Sequence, residues 1–169
     1  TVNRLVQASD FGPTRLLNLP GLTIDGVRLV GEVGRLACRT ETLVGRRPGT
    51  VRAKDRLGMW VRHLAADACS LITGSELVGV DGAVRLDNEP SPRTHLSAVL
   101  RWYKEGLRRP LPFFPETAWV YASRNASPEE RLRAARDTFD SERNYEASDP
   151  YARAAFAGSR DRLAPAARA

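Results

Sequence analysis

Near residue 50 the apolar residues of this chain change their spacing from every second residue to every third or fourth. Residues 22–33 alternate apolar and polar around the dipeptide Asp25-Gly26, which favours a type I′ hairpin because both central residues of that turn take positive φ. A third strand is predicted over residues 42–45, after a turn at 38–42 and before Pro48-Gly49. The first third of the chain is therefore expected to form a three-stranded meander.

Helical spacing follows the meander and predicts an amphipathic helix over residues 54–69. The apolar stripe of this helix is Leu57, Trp60, Val61, Leu64, Ala65 and Ala68. A second hairpin is expected around Asp81-Gly82, and a helix from Pro92 whose buried stripe is Leu96, Val99, Leu100, Tyr103 and Leu107. Ser127, with Glu130 in a capping box, and Asp149 are predicted to cap two later helices, the first burying Leu132, Ala135 and Phe139.

This order of elements predicts an α/β fold in which a mixed sheet is flanked by helices. A chain of 169 residues fits a single domain over residues 1–169, with a connector or short edge element over 1–20 and a frayed tail over 160–169. Because Met59 is the only methionine, we expect the chain to be a fragment of a longer protein.

The charge and composition restrict the setting in which the protein works. No run approaches the roughly 20 apolar residues that span a bilayer, and no signal peptide is seen, so a cytoplasmic location and no membrane partner are expected. The net charge is +6 and almost all cations are arginines, which fits either a polyanionic partner or the codon bias of a GC-rich genome. Cys38 and Cys69 lack the spacing of a metal site and are predicted to be buried free thiols.

Two segments of the meander resemble the metal-dependent nucleases with the pattern PD-(D/E)XK. They are Gly31-Glu32-Val33-Gly34-Arg35-Leu36 and Val44-Gly45-Arg46-Arg47, where the RecB-like branch of those enzymes has Gly-X-Ile-Asp-Arg-Ile and Val-Asp-Tyr-Lys. Both acids are replaced by glycine, Gly34 and Gly45, and Arg47 stands in the position of the lysine. Since paired carboxylates hold the divalent cation in such enzymes, the resemblance implies a nuclease-like fold with a degenerate active site and no metal.

An active nuclease is the alternative, and it needs replacement carboxylates. Glu32 lies two residues from Gly34, so strand alternation places both on the same face, and Glu41 is the second candidate. No phosphate-binding Walker loop is found, so neither ATPase activity nor any cofactor is expected for this segment.

Five longer stretches resemble the RecC C-terminal domain family, part of the gamma chain of exodeoxyribonuclease V. They are residues 26–31, 57–64, 103–111, 115–119 and 149–151. The resemblance implies a non-catalytic domain of RecC in the bacterial RecBCD helicase-nuclease, which processes DNA double-strand ends for recombinational repair. It implies RecB and RecD as partners, and a role in scaffolding these subunits and guiding DNA strands.

The basic residues nearest the altered nuclease positions are the first candidates for DNA contact, since arginine and lysine neutralise phosphates. They are Arg46, Arg47, Arg52 and Lys54, followed by Arg108 and Arg109 at a helix end, where cations are also favoured by the helix dipole. A subunit-docking module without DNA contact remains a third interpretation of the chain. His63 and His95 are expected on helix surfaces or boundaries, and the aromatic residues of segment 112–121 are expected either to stack on bases or to pack in the core.

Overall fold

A computed structural model of the chain describes residues 11–144 and 146–157. Its elements are β1 (Thr14–Ile24), β2 (Val27–Ala37), β3 (Thr42–Arg46), α1 (Ala53–Asp67), β4 (Gly74–Gly79), β5 (Gly82–Asp87), α2 (Pro92–Gly106), α3 (Pro115–Ser123), α4 (Pro128–Phe139) and α5 (Pro150–Ala155). The predicted α/β architecture with a mixed sheet and flanking helices is confirmed. Among the described residues no helix is long and apolar enough to cross a membrane.

The chain consists of two compact units, Thr1–Lys104 and Glu105–Ala169. The prediction of one domain over residues 1–169 stays a prediction. The predicted tail over residues 160–169 lies outside the described residues.

The first unit contains a five-stranded sheet in the order β1-β2-β3-β4-β5. β3 and β4 are parallel, and α1 is the crossover that parallel neighbours require, whereas the other neighbouring strands are antiparallel. Leu36, Leu43, Leu64 and Leu96 are almost completely buried and join β2, β3, α1 and α2 in one apolar cluster. The core of this unit therefore lies between one face of the sheet and two helices.

The first hairpin has the predicted turn. Asp25 and Gly26 have φ values of 48° and 74°, the positive values that a type I′ turn needs at both positions. Residues 38–41 form the predicted turn before β3, which begins at Thr42. The three-stranded meander is thus confirmed.

Of the two expectations for residues 1–20, a connector or a short edge element, β1 supports the edge element from residue 14 onward and corrects the connector there. It begins at Thr14, which pairs with Ala37, and it continues to Ile24. A register shift between Leu19 and Leu22 accommodates Pro20-Gly21 without ending the strand. Residues 14–20 are strand because this bulge absorbs the proline, whose missing N–H would otherwise interrupt the ladder.

A second register shift changes which face the residues of β2 occupy. Leu17 pairs with Gly34, but the next residue, Asn18, pairs with Glu32, so Val33 is an extra residue on β2. Val33 is buried, whereas Glu32 is exposed together with its partner. Because opposite residues share a face, Glu32 lies on the other face from Gly34, and the prediction that they share a face is wrong.

The second hairpin is present, but its turn is one residue earlier than predicted. Gly79 pairs with Gly82, which leaves Val80 and Asp81 as the turn residues. The Asp81 carboxylate accepts a hydrogen bond from the backbone N–H of Val51 at 2.9 Å. The turn is therefore fixed by the segment before α1 as well as by its own sequence.

The buried faces of α1 and α2 differ from the predicted stripes. In α1 Leu57 is exposed, and the buried residues are Ala53, Met59, His63, Leu64, Ala65, Ala66 and Asp67. Met59, His63 and Ala66 also have helical spacing, so α1 is rotated toward a face that includes a polar residue. In α2 Leu96 and Leu100 are buried, but Tyr103 and Leu107 are 63% and 70% exposed, so the predicted stripe is wrong over the last turn and beyond.

The two cysteines are free, as expected, but they are not both buried. Cys38 is exposed because it follows the last residue of β2 and begins a turn. Cys69 is half-buried, and this burial raises the pKa of its thiol, while the nearby Arg93 opposes the effect.

The second unit contains α3, α4 and α5. Helix α3 is absent from the sequence prediction, although Pro115 and Glu116 in its first turn are typical of a helix start. The carboxylate of Glu146 accepts hydrogen bonds from the backbone N–H groups of Glu116 and Thr117, at 2.8 and 3.1 Å. A distant carboxylate thus caps a helix that has no capping side chain at its own N-cap residue.

The predicted caps of the last two helices are confirmed. Ser127 and Glu130 form the capping box of α4, and the Asp149 carboxylate accepts from the N–H groups of Tyr151 and Ala152. The predicted apolar stripe of α4 is buried at Ala135 and Phe139 but exposed at Leu132.

Candidate functional site at the β3–α1 corner

Gly34 and Gly45, which the resemblance aligns with the nuclease acids, lie in neighbouring strands. β2 and β3 pair through Arg35 with Val44, and continuing this register by one residue places Gly34 opposite Gly45. A Cβ atom at Gly45 would lie 2.9 Å from Leu77 Cδ1 and 3.1 Å from Met59 Sδ. The space that a side chain at position 45 would need is therefore filled by apolar groups of β4 and α1.

Gly34 is restricted as well, by its neighbour on β3 and by its backbone. A Cβ atom there would lie 3.2 Å from Leu43 Cδ1, and the φ of Gly34 is 146°, a value that other residues rarely adopt. Leu43 is fully buried, so it has little room to move. Neither glycine position offers space for a carboxylate in the present packing.

Arg47, which the resemblance aligns with the nuclease lysine, is held by contacts within the chain. Its guanidinium donates from Nη1 to Asp55 Oδ1 at 2.9 Å and from Nε to the carbonyl of Thr50 at 2.7 Å. The other oxygen of Asp55 accepts from the backbone N–H of Arg52 at 3.0 Å. Asp55 lies in the first turn of α1, where a carboxylate is favoured by the helix dipole, so this pair fastens β3 to the start of α1.

The corner does not fit a divalent cation. Magnesium prefers several oxygen ligands, carboxylates above all, and the carboxylate at the start of α1, Asp55, already binds Arg47 and a backbone N–H. Glu32 does not help, because the bulge at Val33 turns it to the opposite face of the sheet. Within residues 11–144 and 146–157 there is no group of three or more His, Cys, Asp and Glu side chains that could hold a metal ion.

The second alternative acid, Glu41, lies in the turn between β2 and β3. It has a positive φ of 51° and an exposed side chain, and its carbonyl accepts from the N–H of Thr73 at 3.0 Å. It precedes β3, whereas Gly45 lies near the other end of that strand. The rescue of a metal site by Glu32 together with Glu41 finds no support in this arrangement.

The basic candidates differ in how exposed their side chains are. Arg46, Arg52 and Lys54 are exposed around the end of β3 and the start of α1, whereas Arg47 is drawn into its ion pair. Arg46 also lies over the ring of Phe11, with its guanidinium carbon 5.7 Å from the ring centroid. The structure thus brings Arg47, Arg52 and Lys54 together at the start of α1, whereas Arg46 projects from the sheet face opposite to α1.

The other two candidates, Arg108 and Arg109, belong to the second unit. Both are exposed just after α2, and the Arg109 guanidinium pairs with the carboxylate of Glu105. The backbone N–H groups of both arginines donate to the carbonyl of Glu105, so they close the last turn of the helix.

A pocket that the sequence prediction missed lies on the sheet face opposite to α1. It has a volume of about 390 Å³ and is lined by Thr14, Arg35, Val44 and Arg46, and we call it the Arg35–Arg46 pocket. Arg35 pairs with Val44, and Arg46 lies two residues further along β3, so both arginines project from the same face. Counting alternate residues from the Asp25-Gly26 turn assigns Arg35 to the wrong face of β2, because the extra residue Val33 interrupts the alternation. The sequence prediction therefore could not place Arg35 and Arg46 on the same face.

His63, Ser75 and Asp67 form a buried polar cluster between α1 and β4, and the prediction of a surface position for His63 is wrong. His63 Nδ1 lies 2.8 Å from Ser75 Oγ, and its Nε2 lies 4.0 Å from Asp67 Oδ2, which also accepts from the N–H of Glu89. His63 is fully buried and Ser75 is 3% exposed, so the serine hydroxyl cannot meet a substrate. The cluster is a packing contact that lets a histidine occupy the core. His95, by contrast, is exposed as predicted.

Of the aromatic residues after α2, only some lie in the core, as one of the two predictions for them expected. Phe114 is buried against Phe139, with ring centroids 4.7 Å apart in an edge-to-face arrangement. Phe113, Trp119 and Tyr121 are each about 40% exposed. The core interpretation is therefore confirmed for Phe114 and wrong for the other three.

Comparison with protein families gives one match. The family model described as the RecC C-terminal domain matches residues 1–126, about three quarters of the chain. This range includes the whole sheet, α1, α2 and α3. No curated protein matches the chain.

Proposed function

The chain belongs to the RecC C-terminal domain family, and from this we propose that it is a non-catalytic domain of a RecC subunit. RecC is a subunit of the RecBCD complex, exodeoxyribonuclease V, which acts in DNA repair and recombination. In this proposal the domain works in the bacterial cytoplasm, carries no cofactor of its own, scaffolds RecB and RecD, and guides DNA strands during the processing of double-strand ends.

The observation that supports a catalytically silent domain is the packing at Gly45. Leu77 and Met59 occupy the space of a side chain at this position, and the neighbouring Arg47 is held by Asp55. A nuclease of this type needs carboxylates that face a divalent cation and the scissile phosphate. We infer that the sheet is a nuclease-like scaffold whose metal corner has been replaced by an apolar contact and an ion pair.

A role in guiding DNA draws on the exposed cations beside that corner. Arg46, Arg52 and Lys54 surround the end of β3, and the chain has a net charge of +6. Contacts of this kind bind the phosphate backbone without reading sequence, which suits a domain over which a strand moves.

Nuclease activity is tested by incubating the purified chain with linear duplex and single-stranded DNA in Mg²⁺ or Mn²⁺. We expect no cleavage above a control without metal. Metal-dependent cleavage that Glu32→Ala abolishes, while Glu129→Ala on the exposed start of α4 leaves it intact, would establish the active nuclease in place of this proposal.

DNA binding is tested by fluorescence anisotropy across a range of salt concentrations. Binding that weakens steeply with salt and is reduced by Arg52→Gln with Lys54→Gln supports strand guidance, because each phosphate contact releases counterions. Co-purification with RecB and RecD but no DNA binding at any salt concentration would leave a docking module alone.

A further inference from the structure

The face of the sheet opposite to α1 carries a row of side chains defined by the strand register. Leu16, Arg35, Val44, Glu76 and Arg85 follow one another across β1 to β5, each paired with the next. The buried carboxylate of Glu76 is 3.3 Å from the Arg85 guanidinium. One oxygen of the Glu76 carboxylate, Oε2, is thus paired with a cation on the β5 side of the row, whereas Oε1 is buried and has no hydrogen-bond partner among the described residues.

The β2–β3 side of the same face is the Arg35–Arg46 pocket. Its cations stand on adjacent strands, and Val44 and Thr14 are the other described residues of its lining. Its volume of about 390 Å³ lies within the range of pockets that hold small ligands. A cavity lined by two arginines, a threonine and an apolar side chain is suited to an anion that also carries an apolar or sugar portion.

The ring of Phe11 lies next to this pocket, under the guanidinium of Arg46. Single-stranded nucleic acid is commonly bound by cations that hold the backbone and by aromatic rings on which bases stack. A single strand can turn one phosphate into a pocket, whereas the phosphates of a duplex are held on a stiff helix.

We propose that the Arg35–Arg46 pocket binds a backbone phosphate of single-stranded nucleic acid. This inference rests on the proposed role in strand guidance, and it assigns the contact to the sheet face distant from α1. Arg35 and Arg46 bind the phosphate oxygens, Thr14 donates its hydroxyl, and the base adjoining that phosphate lies toward Phe11.

The test compares binding of a fluorescent oligothymidylate by the wild-type chain and by Arg35→Gln/Arg46→Gln. We expect affinity at low salt to fall about tenfold or more, because two charge-assisted contacts are lost. The slope of log affinity against log salt should become shallower by about 0.7, since both arginines bind the same phosphate and each phosphate contact with a single strand contributes about 0.7. Arg62→Gln on α1 is the control, because it removes one positive charge, half of what the double variant removes, from an exposed position on the other side of the sheet.

Two further measurements separate phosphate recognition from a general loss of charge or of fold. Thr14→Glu keeps both arginines but adds a carboxylate at the rim, and it should weaken binding while the circular dichroism spectrum stays unchanged. An oligothymidylate with uncharged methylphosphonate linkages should bind wild type and the double variant equally weakly.

The outcomes distinguish this inference from the function on which it rests. If the double variant and Thr14→Glu bind like wild type while Arg52→Gln with Lys54→Gln binds weakly, the pocket assignment is wrong and strand guidance stands. If the wild-type chain binds no oligonucleotide even at low salt, both are wrong. An equal loss in Arg62→Gln would show that net charge alone governs binding and would also overturn the assignment.

Discussion

Replacing Gly45 by alanine tests the claim that the β3–α1 corner is filled. The new Cβ atom would lie 2.9 Å from Leu77 Cδ1 and 3.1 Å from Met59 Sδ, whereas unstrained carbon contacts are about 3.5–4.0 Å. Both neighbours are core residues, 6% and 3% exposed, so they must move within a packed interior. The substitution should therefore strain the core although it adds only one methyl group.

The expected loss of stability follows from two opposing effects. Overpacking of a core costs about 1–3 kcal/mol. Alanine in place of glycine returns about 0.5–1 kcal/mol, because the unfolded chain has less conformational entropy to lose. We therefore expect Gly45→Ala to lower the free energy of unfolding by about 1 kcal/mol, within a range of about 0–2.5 kcal/mol.

Gly58→Ala is the matched control, since it makes the same change within α1. Apart from its chain neighbours and the backbone of its own helix, no heavy atom of the described residues lies within 4 Å of the position that a Cβ atom at Gly58 would take. Alanine there should therefore stabilise the helix by about 0.5–1 kcal/mol. Urea denaturation followed by circular dichroism and tryptophan fluorescence measures both variants. If Gly45→Ala gains stability as Gly58→Ala does, the corner has free space and the argument against a side chain at position 45 fails.

Three further predictions concern an ion pair, a helix cap and a thiol. A double-mutant cycle of Arg47→Gln and Asp55→Asn, measured by urea denaturation, should give a coupling of about 0.5–1 kcal/mol, and a value near zero would remove the ion pair as a link between β3 and α1. Ser127→Ala removes the hydroxyl that caps α4 and should lower the stability measured by thermal unfolding by about 1 kcal/mol, and an unchanged stability would contradict the cap. Burial raises the pKa of Cys69, so less of its thiolate is present at any pH below that pKa. Iodoacetamide should therefore modify Cys69 more slowly than the exposed Cys38, and the rate at Cys69 should keep rising at alkaline pH. Mass spectrometry measures both rates, and equal rates would contradict the burial of Cys69.

Elements set by local chemistry could be predicted from the sequence. The turn at Asp25-Gly26 requires two positive φ values, and the caps at Ser127 and Asp149 supply acceptors to the first N–H groups of their helices. In each case the residues that determine the structure are within four positions of one another. Pro115 is a local signal of the same kind, because it indicates the start of α3, but the prolines that precede it in the sequence made this helix start hard to recognise.

Features set by partners distant in the chain could not be predicted. The extra residue Val33 is defined only by the pairing of β2 with β1, and it decides the face on which Glu32 lies. The burial of His63 depends on Ser75, which comes from a strand beyond the end of the helix. For this reason the sequence located only part of the candidate site. The strand motifs identified Gly34, Gly45 and Arg47, whereas placing Arg35 and Arg46 in one pocket required the observed strand register.

The bulge at Pro20-Gly21 has a consequence for self-association. β1 ends the order of strands in the sheet, so one side of its backbone offers N–H and C=O groups to any extended chain that approaches. Pro20 has no N–H to donate, and the shifted register on either side of Gly21 divides the strand into two short stretches. A second copy of β1 could not add along its whole length, and this irregularity should protect the protein from growing into fibrils through that border.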